Sequence, residues 1–344
     1  MDKLLTVLVP SYNMEKYLEK GLSSLVIREN LLKYLEVLVI NDGSKDSTST
    51  IAHRFEHDYP GVFTAIDKEN GNYGSCVNAG LKLAKGTFIK ILDADDYFWT
   101  DGFESLIEKL KSSEENNENI QLFLLEFNTV NENGKFLYAM RPIIEPNKVF
   151  EFPETVNQDY IANIGHHLIV YRTNLLLNMH YKQTERVSYS DTEWSVIPQL
   201  AVQRIKYIPI PVYQYLLGRE GQTMDPKVLT RSLHSMTVVA RNMITTINES
   251  KDKYPAANYE LVVNRTITFL RTIYSMFIMT GSIENVKRLE DFDNWIKQHA
   301  PVMYGRIDGD RFSRKYPVRY IHNFRKGTNS IPFKTMRRVY AMFH

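Results

Sequence analysis

Phe88-Ile89-Lys90-Ile91-Leu92-Asp93-Ala94-Asp95-Asp96 is the stretch that decides how this chain folds. A short, mostly apolar run reads as a buried strand, and three carboxylates follow it within four residues. A strand buried on both faces belongs to a parallel sheet. In open parallel sheets ligands gather beyond the carboxyl ends of the strands, so the acids stand where a ligand would sit.

Upstream the same pattern repeats. Strands predicted over 4–9, 36–40, 62–66, 88–92 and 122–127 alternate with helices over 14–27, 47–59, 74–84 and 101–111, the signature of crossover helices joining parallel strands. Ser11-Tyr12-Asn13 closes the first strand and Asn41-Asp42-Gly43-Ser44 the second, so with the Asp93 cluster three polar groups converge on one rim. Residues 130–154 are strand-like and punctuated by Pro. A helix over 192–202, a strand over 206–208 and the Pro209-Ile210-Pro211 break come next, then helices over 228–248, 259–280 and 283–299. The expected architecture is a mixed, mostly parallel α/β sheet flanked by helices over 1–224, in two halves (1–127 and 128–224), with a helical C-terminal region over 225–344.

Lys plus Arg number 42 against 40 Asp plus Glu, a net charge of +2, so nothing draws the molecule as a whole to nucleic acid or membrane. Cys76 is the only cysteine, which excludes an internal disulfide and a cysteine-built metal site and suits a reducing, cytoplasmic address. The apolar run over 4–9 ends at Pro10, too short for a signal-peptide core or a span. The run over 267–279 is broken by Arg271 and falls short of the roughly 20 residues a bilayer needs, so it reads as a core helix. From Arg311 onward the chain carries Arg311, Arg314, Lys315, Arg319, Arg325, Lys326, Lys334, Arg337 and Arg338 and no acid. This reads as a peripheral contact with anionic lipid at the inner membrane face or with a phosphate-bearing carrier, or else as a tail packed on the body.

Clustered acids repel unless something positive lies between them. A hard divalent ion, Mn²⁺ or Mg²⁺, shares its coordination sphere between one or two carboxylates and substrate phosphates, and neutralises charge on a departing diphosphate. A helix cap with an acidic first turn accounts for one of these acids, not all of them.

Pro10-Ser11-Tyr12-Asn13, Asn41-Asp42-Gly43-Ser44, Asn72-x-Gly74 with Asn78-Ala79-Gly80, and Leu92-Asp93-Ala94-Asp95-Asp96 follow one another within residues 1–115. In order and spacing they resemble the motifs of glycosyltransferase family 2. The resemblance implies a GT-A (Rossmann-like) fold, a UDP-sugar donor and inversion at the anomeric carbon. It also implies transfer to an acceptor hydroxyl on a glycan, a lipid-linked carrier or a protein in bacterial surface-glycan synthesis, with 1–127 as the donor half and 128–224 as the acceptor half. By position, Tyr12 would stack on the base and Asp42 bond its edge, each being otherwise an ordinary turn residue. Pro10, Asn13, Asn72, Gly74, Asn78 and Ala94 would line the donor site. Asp95 would be the principal metal ligand, Asp93 would lie near the ribose or metal, and Asp96 would be structural. Val77 stands where the family often has Arg.

Tyr189-Ser190-Asp191-Thr192-Glu193-Trp194 resembles the family's Glu-Asp-x-x-Trp motif, with Ser190 in place of Glu. Asp191 would remove the acceptor proton; the residues also allow Asp191 as a helix cap with Glu193 as the base. Arg219, in Gly218-Arg219-Glu220-Gly221, is the candidate for the donor diphosphate, or for a surface salt bridge. His166 and His167 precede a strand over 168–171. As strand neighbours they would face opposite sides, one lining the acceptor site or both packing.

A sugar-1-phosphate nucleotidyltransferase would open on a Gly-rich loop where this chain has Pro10-Ser11-Tyr12-Asn13, and a phosphatase built on Asp93 would leave Tyr12 and Asp42 idle. An inactive subunit that binds a partner transferase or a glycan stays open because of Ser190 and Val77, as does a homo-oligomer.

Overall fold

The computed structural model describes residues 3–153, 164–218, 226–280, 283–308 and 319–327. They fall into two compact units, 1–220 and 221–344.

The first unit opens with β1 (Leu5–Ser11), α1 (Leu18–Ser23), α2 (Glu29–Leu32), β2 (Leu35–Asn41), α3 (Thr48–Asp58), β3 (Phe63–Asp67), α4 (Asn72–Leu83) and β4 (Phe88–Ile91). It continues with β5 (Tyr97–Phe98), α5 (Thr100–Glu115), β6 (Leu122–Leu124), β7 (Phe127–Val130), β8 (Phe136–Met140) and β9 (Val149–Glu151). A 3₁₀ turn (His166–Leu168), β10 (Ile169–Arg172), α6 (Thr173–Asn178), α7 (Asp191–Val196), β11 (Arg204–Tyr207) and β12 (Tyr213–Leu216) complete it. The main sheet has the order β3-β2-β1-β4-β10-β6-β11-β9, and β5-β12-β7-β8 form a second sheet. Every residue of β1, β2 and β4 is buried, as strands covered on both faces require. Register pairs Ser11 with Asn41 and Asn41 with Asp67, while Leu8 pairs with Ile91. The polar clusters after β1, β2 and β4 therefore emerge along one edge.

The expected fifth parallel strand over 122–127 is not one strand. β10 runs antiparallel between β4 and β6, and the segment breaks where the Leu125 N–H turns to Leu168 O and the Glu126 N–H to Ile210 O. β6 stays in the main sheet while β7 pairs with β12. Glu126, buried at the switch, accepts from the Tyr207 hydroxyl and the Arg141 guanidinium. The helix expected over 14–27 shrinks to α1, and that over 192–202 becomes α7 followed by a 3₁₀ turn around Pro198, which cannot donate to a helix ladder.

The second unit contains α8 (Pro226–Glu249), α9 (Ala256–Thr280), α10 (Ile283–His299), α11 (Pro301–Ile307) and α12 (Tyr320–Arg325). Val239, Met243, Ile247, Leu270, Ile273, Phe277, Phe292 and Ile296 pack its core. Among the described residues no helix is long and apolar enough to cross a membrane. Arg325 is turned inward: it lies 2.8 Å from the carboxylate of Asp293 and stacks 3.5 Å over Tyr304. Arg319 donates to Asp308 O. Arg311, Arg314, Lys315, Lys334, Arg337 and Arg338 lie outside the described residues.

Candidate active site

Beyond β4 the chain turns tightly, Asp96 N–H donating to Asp93 O at 3.0 Å. The turn separates the acids: Asp93 and Asp95 are half-buried, Ala94 and Asp96 buried. Asp96 points inward, accepting from the Tyr213 hydroxyl at 2.6 Å and from Leu216 N–H at 2.7 Å. Burial, with Asp95 and Asp93 adding repulsion, pushes its carboxyl well above the usual range. Asp96 thus ties the turn to β12, and the same Tyr213 oxygen accepts Asp93 N–H at 3.1 Å.

Asp93 accepts from the Tyr73 hydroxyl at 2.9 Å through Oδ1 and meets His166 Nε2 at 2.9 Å through Oδ2. Burial alone would raise its carboxyl, but His166, His167 and Tyr73 outweigh that and hold it below the ordinary carboxylate range. His166 is itself buried; burial opposes its charge, yet Asp93 and Asp191 raise it above the ordinary value. Burial beside His166 lowers His167 well below it. One atom each of Asp93, His166 and His167 lie within 4.8 Å of one another, a set able to hold a metal ion.

Alongside lies a cavity of about 260 Å³, lined by Pro10, Ser11, Tyr12, Met14, Asp42, Asn70, Asn72, Tyr73 and Cys76. Asp42 is buried and accepts from Lys68 Nζ at 2.6 Å, Gly71 N–H at 2.9 Å and Asn72 N–H at 2.8 Å. This wraps the 68–72 loop round the end of β2. Asn72 holds φ 68°, a left-handed conformation that Asn tolerates, and starts α4. Tyr12, 46% exposed, stands at the mouth.

The 183–193 segment packs against α4. Asn78 grips it from α4, donating to Gln183 O and Glu185 and accepting Gln183 N–H. Glu193 accepts from both the Thr184 N–H and its hydroxyl at 2.6 Å. Asp191, the first residue of α7, keeps 41% of its side chain exposed and lies 3.8 Å from His166 Nδ1. Desolvation by the protein around it and nearby Asp93 push its carboxyl up, and His166 opposes them.

The model of glycosyl transferase family 2 matches residues 6–170, most of the first unit. Residues 6–170 carry that family's pattern. It is 40% identical over 103 residues to an uncharacterized glycosyltransferase of Mycoplasma pneumoniae, the MG025 homolog, covering 29% of this chain and 34% of that protein. It is 27% identical over 324 residues to the poly(ribitol-phosphate) beta-N-acetylglucosaminyltransferase TarS of Staphylococcus aureus, covering 91% of this chain and 52% of TarS. The crystal structure of TarS 1–349 in complex with UDP-GlcNAc superposes with TM-score 0.68 at 20% identity, over 99% of this chain and 92% of that one. A mannosyltransferase of Pyrobaculum calidifontis, in complex with GDP-Man and Mn²⁺, gives TM-score 0.50 at 15% identity over 89% and 85%. The fold is GT-A. The chain spans about a third of the length of the first curated relatives it matches.

Within this family 2 domain, Pro10, Tyr12, Asp42 and Asn72 meet on the cavity, and Asp93, Ala94 and Asp95 sit on one turn. Asn13 does not line the cavity: its side-chain Oδ1 accepts Lys45 N–H and its backbone N–H donates to the Ser44 hydroxyl, clipping two loops together. Asn78 and Gly74 serve the 183–193 segment, since a Cβ on Gly74 would stand 2.0 Å from Thr184 O. Val77 is buried, so no phosphate contact arises there. Arg219 lies outside the described residues. The histidines require correction: they occupy a 3₁₀ turn, not a strand, and their rings pack on one side, 3.9 Å apart and tilted by 35°. Tyr73, Lys68 and Tyr213 escaped sequence reading; Tyr213-x-Tyr215 and its place after the Pro break were the available signal for the last.

Proposed function

We propose that this protein is an inverting glycosyltransferase that moves a sugar from a uridine diphosphate donor to an acceptor hydroxyl. The observation that carries the reading is the convergence, on one sheet edge, of an aromatic-and-carboxylate cavity with a two-acid turn and a separate acid facing it. Tyr12 offers a stacking face for the base, and Asp42 Oδ2, which accepts a single N–H, keeps lone-pair capacity for a base imide.

Asp93 and Asp95 fit a hard divalent ion such as Mn²⁺ or Mg²⁺. They are half-buried carboxylates on one turn, with Asp93 held in place by Tyr73 and His166. Asp93 and Asp95 would hold such an ion, whose chemistry there would be to neutralise charge on the departing diphosphate. Asp191 removes the acceptor proton as the hydroxyl attacks the anomeric carbon from the face opposite the nucleotide, which inverts the configuration. Glu193 is turned into the core, leaving Asp191 as the base. The TarS name, with its poly(ribitol-phosphate) acceptor, supports a bacterial surface polymer as the acceptor class.

The test is calorimetric titration with UDP and with GDP, each with and without Mn²⁺, on wild type and Asp95→Ala. Metal-dependent UDP binding that the substitution abolishes is the expected result. Binding of neither nucleotide would overturn the reading and leave the non-catalytic subunit in its place.

A further inference from the structure

His166 stands between the two acids that the proposed reaction uses, and nothing in that mechanism yet employs it. Its side chain is 6% exposed, with Nε2 2.9 Å from Asp93 and Nδ1 3.8 Å from Asp191. The ring is held from every side. It packs on His167 at 3.9 Å and meets Tyr73 and Tyr213 edge-on at 6.5 and 6.4 Å. Beneath it Lys90, buried in β4, donates to His167 O at 2.7 Å and to Ile169 O at 3.3 Å, fixing the backbone of the turn that presents it.

We propose that His166 is a positioning residue that couples the donor side of the site to the acceptor side, one ring nitrogen orienting Asp93 and the other Asp191. This rests on the roles given above to those acids. Two carboxylates in one site repel and swing apart unless a group between them faces both. Imidazole presents a nitrogen at each end of a rigid ring, so a shift of one acid is transmitted to the other. The distance to Asp191 exceeds a hydrogen bond, and on this proposal it closes when an acceptor aligns the base.

Gln and Asn separate the two contacts, because a Gln amide nitrogen reaches the Nε2 position and an Asn amide nitrogen the Nδ1 position. Wild type, His166→Gln, His166→Asn, His166→Ala, Asp191→Asn and the double variant H166A/D191N are compared. UDP affinity is measured with Mn²⁺, and turnover as UDP release from UDP-glucose, UDP-galactose and UDP-N-acetylglucosamine, with water as the acceptor that takes the glycosyl group and yields its proton to Asp191. His166→Gln is expected to bind UDP within about threefold of wild type while kcat falls about tenfold or more; His166→Asn loses about tenfold in UDP affinity. The double variant is expected to turn over no more slowly than Asp191→Asn alone, since residues acting as a unit are not additive. Equal effects of Gln and Asn on both quantities, or additive losses in the double variant, would overturn the proposal and reduce His166 to packing. Failure of wild type to bind UDP or to turn over any of these donors would instead bring down the reading on which the proposal stands.

Discussion

Asp191 and Glu193 stand two residues apart on one short helix, and their surroundings separate them. Asp191 faces the rim beside His166, whereas Glu193 is 4% exposed and spends both oxygens on Thr184. Asp191→Asn keeps the shape and removes the proposed base, so turnover should fall about 10²- to 10⁴-fold while UDP affinity stays near wild type; steady-state kinetics beside calorimetry reads both. Burial lifts Glu193 from 4.5 to about 7. Between those values the folded protein holds a proton that the unfolded chain has released, so this contribution to stability is full below the lower value and is lost as pH rises through the upper one. Against Glu193→Gln, which cannot titrate, wild type should lose up to about 3 kcal/mol between roughly pH 4.5 and 7.5 in urea unfolding. The sequence showed which acids cluster, because Asp93, Asp95 and Asp96 adjoin one another. The residues alone did not show which acid turns inward, though the family resemblance implied it for Asp96. That depends on Tyr213 and Thr184, which meet Asp96 and Glu193 only once the chain has folded.

At the scale of elements, the strands before the polar clusters were legible because β1, β2 and β4 are apolar throughout and bounded by turn residues. The break between β6 and β7 was not, since Leu122 to Phe127 reads as one apolar run and only cross-chain partners at Leu125 and Glu126 divide it. The His166 turn was misread for a related reason: the apolar residues after it suggested a strand period one residue too early. α4 carries a packing constraint of its own. Gly74 lets the helix approach the 183–193 segment so closely that a methyl group would collide with backbone, at 2.0 Å from Thr184 O and 2.8 Å from Thr184 C. Backbone cannot step aside as a side-chain tip can, so Gly74→Ala should cost about 1–3 kcal/mol in thermal or chemical unfolding. Because the displaced segment also carries Asp191, turnover should drop by more than the stability loss explains.

At the scale of the molecule, each unit has its own core, and the helices of the second were legible from their periodicity. The basic tail was less so: composition alone could not reveal that Arg325 is bound to Asp293 and Tyr304. Cys76 is the sole thiol of all 344 residues, 1% exposed on the wall of the cavity between Pro10 and Tyr73, and burial beside Asp42 pushes it up to about 12. Thiolate is the reactive form, so the native molecule should resist alkylation and each unfolded one should take a single adduct. In pulsed maleimide labelling read by intact mass, the fraction one adduct heavier then counts molecules whose cavity wall has opened. Excess UDP should slow that count, and surface cysteines can be added for spectroscopic tags without first removing the native one.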